Sequence, residues 1–146
     1  MTRALQASDA AQHISEAVPQ SVLSVEENVI FVSADTIVSI CEFLKSDSRY
    51  SFDFLEAVSA IDMIDHFQVV YHLLSLSLNQ TVVLKIQLYG RDDLSIPSVS
   101  GVWKAADFQE REIYDLNGIT FVDHPNMKRI LTWDGFEGHP LRKDFL

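Results

Sequence analysis

The chain of 146 residues has a single cysteine, Cys41. No intrachain disulfide can form, and one thiolate cannot hold an iron–sulfur cluster. No apolar run nears the ~18 residues that a membrane-crossing helix needs, so any membrane association has to go through partners. The five glycines are scattered singly, and no Gly-rich phosphate loop occurs. The opening MTRALQASDAAQHISEAV lacks both the apolar centre of a signal peptide and the Arg- and Ser-rich character of a mitochondrial transit peptide. Bases are scarce too. Eleven stand against 21 acids, giving a net charge of −10 and a pI near 4.7. That balance excludes nucleic acid, which demands clustered Lys and Arg, and disfavours direct contact with an anionic membrane surface. A basic protein or an assembly of several chains fits better.

What is present suits one folded domain: 47% hydrophobic and 22% charged residues. Residues 4–18 carry Ala7, Ala10, Ala11, Ile14, Ala17 and Val18 at helical spacing, and Pro19 ends the run. Residues 21–25 and 29–33 read as short strands around a turn at Glu26-Glu27-Asn28. Asp35 is placed to cap a second helix, whose residues Ile37, Ile40, Cys41 and Leu44 form one buried stripe. On that stripe Cys41 is a small hydrophobe rather than a reactive thiol. Residues 51–61 suit strand or helix. Residues 67–78 and 81–88 read as strands, the second alternating Val82, Leu84, Ile86 and Leu88 with more polar positions. A tight turn at Asn79-Gln80 would set Tyr71 and Leu73 beside Leu88 and Ile86, with His72 outward beside Gln87. Residues 90–100, with Gly90, Asp92, Asp93 and Pro97, read as a loop. The expected fold class is α+β: a mixed or antiparallel sheet flanked by helices, with an extended C-terminal arm. Its division is a core over 1–118 and an arm over 119–146.

The last third differs in charge. Residues 101–146 hold eight acids and six bases, against thirteen and five in residues 1–100. Residues 101–118 read as a helix, with Asp107 as its cap and Gly118 at its C-terminal end. Glu110, Arg111, Glu112 and Asp115 crowd this helix, and Arg111 and Asp115 are four apart, so they can meet on one face. Glu110 and Glu112 diverge by about 200° on a helix and cannot share a substrate. The arm has aromatic anchors and arginines but little periodicity. The residues leave two readings open: it docks on another chain, or it packs on its own domain.

The string EREIYDLNGITFVDHP at 110–125 resembles the signature of the C subunit of the proton-pumping NADH:quinone oxidoreductase, respiratory complex I. The resemblance runs through Arg129-Ile130-Leu131 to GHPLRKD at 138–144. FDFLEAVSAIDM (52–63), VVYHLLSL (69–76) and IPSVSGVWKAADF (96–108) resemble that family as well. About residues 50–146 are covered well, and the first fifty loosely.

The resemblance implies a chain with no catalytic residue and no cofactor of its own. Iron–sulfur clusters, flavin and quinone belong to partner subunits. It implies a scaffold in the hydrophilic arm that braces the D subunit beside the quinone site; the lack of transit-peptide character points to the cytoplasmic face of a bacterial or archaeal plasma membrane, or to an organelle-encoded subunit. The signature residues here are Glu110, Arg111, Glu112, Asp115 and Gly118 of the helix, then His124, Pro125 and Arg129. His139, Pro140, Leu141, Arg142, Lys143 and Asp144 begin the tail along the D subunit. Arg129, Arg142 and Lys143 are expected to pair with acids or carbonyls of that partner. Asp123 stands where the family usually has Gly, so a turn needing positive φ falls on an Asp, which tolerates it better than most residues. Lys128 replaces a usual Arg. The chain ends at Leu146, where relatives often run longer, so it is expected to bury less of the D subunit.

Two other readings stay open beside it. The same module serves related membrane-bound [NiFe] hydrogenases and deazaflavin-dependent dehydrogenases. A different class would be a stand-alone metal-dependent hydrolase using His and Asp residues near 107–144. Against it, His66, His72, His124 and His139 fall in no metal-binding motif, and no nucleophile signature is present.

Overall fold

The computed structural model describes residues 2–133 and 135–144. Its elements run β1 (Arg3–Ala4), α1 (Ala7–Ala17), β2 (Val22–Glu26), β3 (Val29–Val32), a 3-10 turn at Ala34–Thr36, α2 (Ile37–Ser46), β4 (Phe54–Asp62), β5 (His66–Ser75), β6 (Gln80–Tyr89), β7 (Ser95–Pro97), α3 (Ala106–Asn117) and β8 (Thr120–Val122). The main sheet is mixed, in the order β2-β3-β6-β5-β4, with β1 alongside β6. β3 and β1 lie parallel to β6, and the other pairs are antiparallel. This is the α+β class expected.

Local chemistry explains the boundaries. β2 and β3 turn on Glu27 and Asn28, both at positive φ, the backbone that a tight two-residue hairpin requires. Asn28 then does a second job. Its Oδ1 accepts the Ala7 amide at 2.8 Å and its Nδ2 donates to the Leu5 carbonyl at 2.8 Å. That contact satisfies an orphan amide of α1, whose own N-cap Gln6 makes no side-chain bond. Asp35 does not cap α2. It sits inside the 3-10 turn, where Thr36 and Ser33 bond to each other at 2.7 Å, and α2 starts at Ile37. The stripe Ile37, Ile40, Cys41 and Leu44 is fully buried. Each such aliphatic contributes on the order of 1.5–3 kcal/mol. Burial pushes the Cys41 thiol far up, so it stays protonated.

The β5–β6 connection is a four-residue loop, Leu76–Asn79, not a tight turn at Asn79-Gln80, since Ser75 pairs with Gln80. Tyr71 therefore faces Leu84 and Leu73 faces Val82, while His72 lies beside Val83. Each partner is displaced by four positions. An even displacement keeps every side chain on its face, so the buried set is the expected one although its pairings differ. Residues 90–100 are not all loop. Ser95–Pro97 pairs in parallel with Thr120–Val122, which ties the start of the arm to the core.

The core lies between one face of the main sheet and the helices. Tyr71, Phe67, Leu73, Leu84 and Ile86 from the sheet meet Ile14 of α1, the α2 stripe and Ile113 of α3.

Candidate partner interface

α3 starts at Ala106 with Ala105 before it and no side-chain cap, so Asp107 lies within its first turn rather than at the cap. It ends as expected on Gly118, at φ +78. Its acidic cluster divides. Glu110 turns into the core and accepts the Ser98 hydroxyl at 2.6 Å and the Val99 amide at 2.9 Å. Burial raises its pKa, and those two hydrogen bonds only partly offset the shift. Glu112 is exposed.

Asp115 is fully buried, and its partner is not Arg111. Arg129 lies 2.9 Å from Oδ1. The amides of Ile130, Leu131 and Thr132 all donate to Oδ2 at 2.7–3.0 Å, and the Thr132 hydroxyl bonds Oδ1. Burial alone would raise this carboxyl, but the hydrogen bonds from Thr132, Leu131 and Ile130 outweigh it and hold it well below the usual range. Arg111 instead donates to the carbonyls of Lys128 and Arg129 at 3.0 and 3.2 Å. The i, i+4 ion pair expected on the helix is thus absent. A surface pair of that kind contributes only ~0.3–0.5 kcal/mol, and both groups find better-placed partners in the arm.

The arm is folded onto its own domain by three further contacts. The His124 imidazole is fully buried, its Nε2 3.0 Å from Asp107 Oδ1. Its Nδ1 accepts the Asn126 amide at 2.9 Å, so the ring proton sits on Nε2 and faces Asp107. Asp123 just before it has φ +66, the conformation anticipated for that turn. Pro125 is exposed.

Next, the 139–142 segment closes over the end of α3. The Leu141 amide donates to the Leu116 carbonyl at 2.7 Å, and Arg142 Nε donates to the Asn117 carbonyl at 2.6 Å. The His139 Nδ1 is 2.9 Å from the Asp115 carbonyl. A Cβ on Gly118 would fall 2.6 Å from His139 Cδ2, so only Gly lets the tail approach. Pro140 is half-buried beside it and Leu141 exposed.

The last contact uses a residue to which the sequence assigned no role. Asp62, buried at the end of β4, receives Arg91 in a bidentate pair at 2.6 and 2.7 Å. It also receives the amide of Ile64 and, from the arm, that of Lys143, both at 2.8 Å. The Arg91 hydrogen bonds hold its carboxyl far below the usual range. Arg91 reaches Asp144 as well, at 3.0 Å. Arg91 and Arg142 both lie against the Phe67 ring, 4.7 and 5.2 Å from its centre. Asp62 lies 29 residues from Arg91 and 81 from Lys143, a separation no motif reveals.

Arg129 and Arg142, expected to reach a partner, also bond within the chain, their guanidinium groups meeting carbonyls and a carboxylate. Lys143 contributes its backbone amide internally, and its side chain is exposed. Large apolar side chains are among those the clamped arm presents outward. Leu131 is 63% exposed and Trp133 69%, with Phe108 of α3 at 64%.

The family described as "Respiratory-chain NADH dehydrogenase, 30 Kd subunit" matches residues 30–146. The chain belongs to this family. It is 43% identical over 153 aligned residues to the NADH-quinone oxidoreductase C subunit of Paramagnetospirillum magneticum, covering 99% of this chain and 75% of that one. With the namesake from Hyphomonas neptunium it shares 41% identity, over 94% of this chain and 71% of the relative. The likeness therefore reaches into the first fifty residues. A chain of the membrane-bound sulfane sulfur reductase, an archaeal respiratory membrane complex, has the same fold: TM-score 0.75 at 24% identity, over 97% of this chain and 86% of that one. Among the described residues no helix is long and apolar enough to cross a membrane.

Proposed function

We propose that this chain is a non-catalytic scaffold subunit of a proton-translocating NADH:quinone oxidoreductase. In this reading it docks on the D subunit next to the quinone site through α3 and the clamped arm. The complex transfers electrons from NADH to quinone, with flavin, iron–sulfur clusters and quinone held by other subunits. The chain sits peripherally on the cytoplasmic face of the membrane through those neighbours. One observation carries the reading: buried Asp115 holds residues 129–132 of the arm, where Leu131, with Trp133 close after it, stands exposed. Large apolar side chains exposed to water are the usual anchors of a protein interface. Because Arg129 and Arg142 are satisfied internally, they act by shaping that surface, not by pairing across it.

The family relationship favours an NADH-linked complex over a hydrogenase or a deazaflavin-dependent dehydrogenase. The test is an affinity pull-down of the tagged chain from its native membranes, followed by mass spectrometry. Recovery of a large assembly containing flavin, iron–sulfur and quinone-site subunits supports the reading. Recovery of the chain alone, with bound zinc or manganese, would overturn it in favour of a hydrolase.

A further inference from the structure

The charge cluster of α3 leaves one carboxylate unused. Glu110, Arg111 and Asp115 are all bonded within the chain. Glu112 is exposed and makes no ion pair or hydrogen bond among the described residues. It lies on a pocket of about 140 Å³ between α3, the edge of β4 and the arm. Leu116 of α3 and Leu141 of the arm form part of its apolar wall, and no lining residue is basic.

Two further groups on this pocket lack a partner. Asn117 is only 3% exposed. Its main-chain carbonyl takes Arg142, but its side-chain amide makes no hydrogen bond among the described residues. A carboxamide buried to that degree is normally hydrogen-bonded. The edge of β4 supplies the other group, since β4 is the last strand of the sheet. The Val58 amide turns away from β5 and donates to Gln109 Oε1 at 2.5 Å. Ala60, two residues on, therefore turns its N–H and C=O the same way. Nothing among the described residues bonds them.

These groups together describe what fits. The one charge is negative, and beside it stand the Asn117 Oδ1 and the Ala60 carbonyl, both acceptors. An acidic side chain would be repelled by Glu112, and an apolar one would leave Asn117 unpaired. A planar fork of N–H donors on a methylene stem meets the carboxylate, the two acceptors and the leucine walls at once. The geometry points to an arginine side chain from a neighbouring protein of the complex, its guanidinium pairing with Glu112 and bonding Asn117 Oδ1 and the Ala60 carbonyl. This inference rests on the reading of the chain as a subunit docked through α3 and the arm. It adds one charged contact, at a fixed place, to a surface whose exposed Phe108, Leu131 and Trp133 are apolar.

The test uses the intact complex in its native membranes. A photoreactive benzoylphenylalanine replaces Ser59 on the exposed rim of the pocket, and mass spectrometry maps the residues it joins. The expected link is to an arginine-containing segment of a different protein. Glu112→Lys should lower the amount of assembled complex by roughly tenfold or more. Exchanging the linked arginine for Glu in that background should restore assembly, which a variant that merely misfolds would not show. A link confined to this chain or to a second copy of it overturns the inference. So does a linked segment without arginine, wild-type assembly in Glu112→Lys, or a charge exchange that restores nothing. Each of these leaves the subunit reading standing, provided Leu131→Asp with Trp133→Asp still prevents assembly. A wild-type chain that recovers no other protein overturns both.

Discussion

Arg129 Nη1 lies 2.9 Å from Asp115 Oδ1, and the three amides that follow Arg129 in sequence all donate to the other oxygen of the same carboxylate. One buried charge on the last turn of α3 thus sets the path of the arm over residues 129–132. Removing it leaves a guanidinium and three amides without their acceptor. Asp115→Asn keeps the shape but not the charge, and should destabilise the protein by ~3–5 kcal/mol, the cost of breaking a buried pair. Thermal unfolding measures the loss. Limited proteolysis should show early cleavage within 126–138, and an arm as resistant as the wild type's would contradict the clamp.

Gly118 separates conformational from packing effects. Its φ of +78 suits Gly, and the tail ring of His139 occupies the space a Cβ would take. Gly118→Ala should cost ~1–2 kcal/mol from the left-handed backbone alone, and more from displacing His139. Gly118→Ala combined with His139→Ala removes the closest steric contact and leaves Arg142 Nη2 at 2.9 Å. The double variant should recover stability relative to the single one. Strict additivity of the two losses would show that the close approach is unimportant.

Asp123 occupies a left-handed position, φ +66, on an exposed turn. Asp123→Gly should leave stability unchanged or raise it by up to about 1 kcal/mol, whereas Asp123→Val should lower it by ~1–2 kcal/mol. Denaturant midpoints at constant m-value decide the matter, and a neutral Asp123→Val would refute the backbone explanation.

Stability should respond to pH with two opposite signs. Asp62 and Asp115 are held below the ordinary carboxylate value. They contribute stability above pH ~4, and that contribution is lost as pH falls through their folded-state values. Glu110 is raised by burial, so its contribution is complete below its ordinary value and is lost as pH rises through its folded-state value. Melting temperature from pH 2.5 to 8 should therefore fall steeply at the acid end. Asp62→Asn should flatten that acid limb, and Glu110→Gln should flatten the shallower loss on the other side. An unchanged acid limb in Asp62→Asn would show that Asp62 does not anchor the tail.

Much of the fold could be read from periodicity, because burial patterns are local. The α2 stripe, the alternation in β6 and the Gly118 helix end all appear in the structure as read. The sheet partners of β5 did not follow, since loop length fixes register, and Asn79, at φ +52, marks a turn without setting its length. Parity rescued the core: a shift of four preserves the faces. The candidate interface was legible in its residues and not in its wiring. Arg111 and Asp115 suit one another at i, i+4, but the three-dimensional path of the arm brings Arg129 and three amides to Asp115, and no spacing along a helix encodes that. Asp62 and Arg91 were missed for the same reason. β7 and β8, three residues each, are too short for a periodic signal and form only because each finds the other.

The scaffold reading is tested most directly by separating assembly from turnover. In membranes carrying Leu131→Asp with Trp133→Asp, both the amount of assembled complex and its NADH:quinone reductase activity can be measured. The expected result is a large loss of assembled complex, with unchanged activity per complex that still forms. Normal assembly with activity lost per complex would contradict it, and would give this chain a part in the chemistry itself.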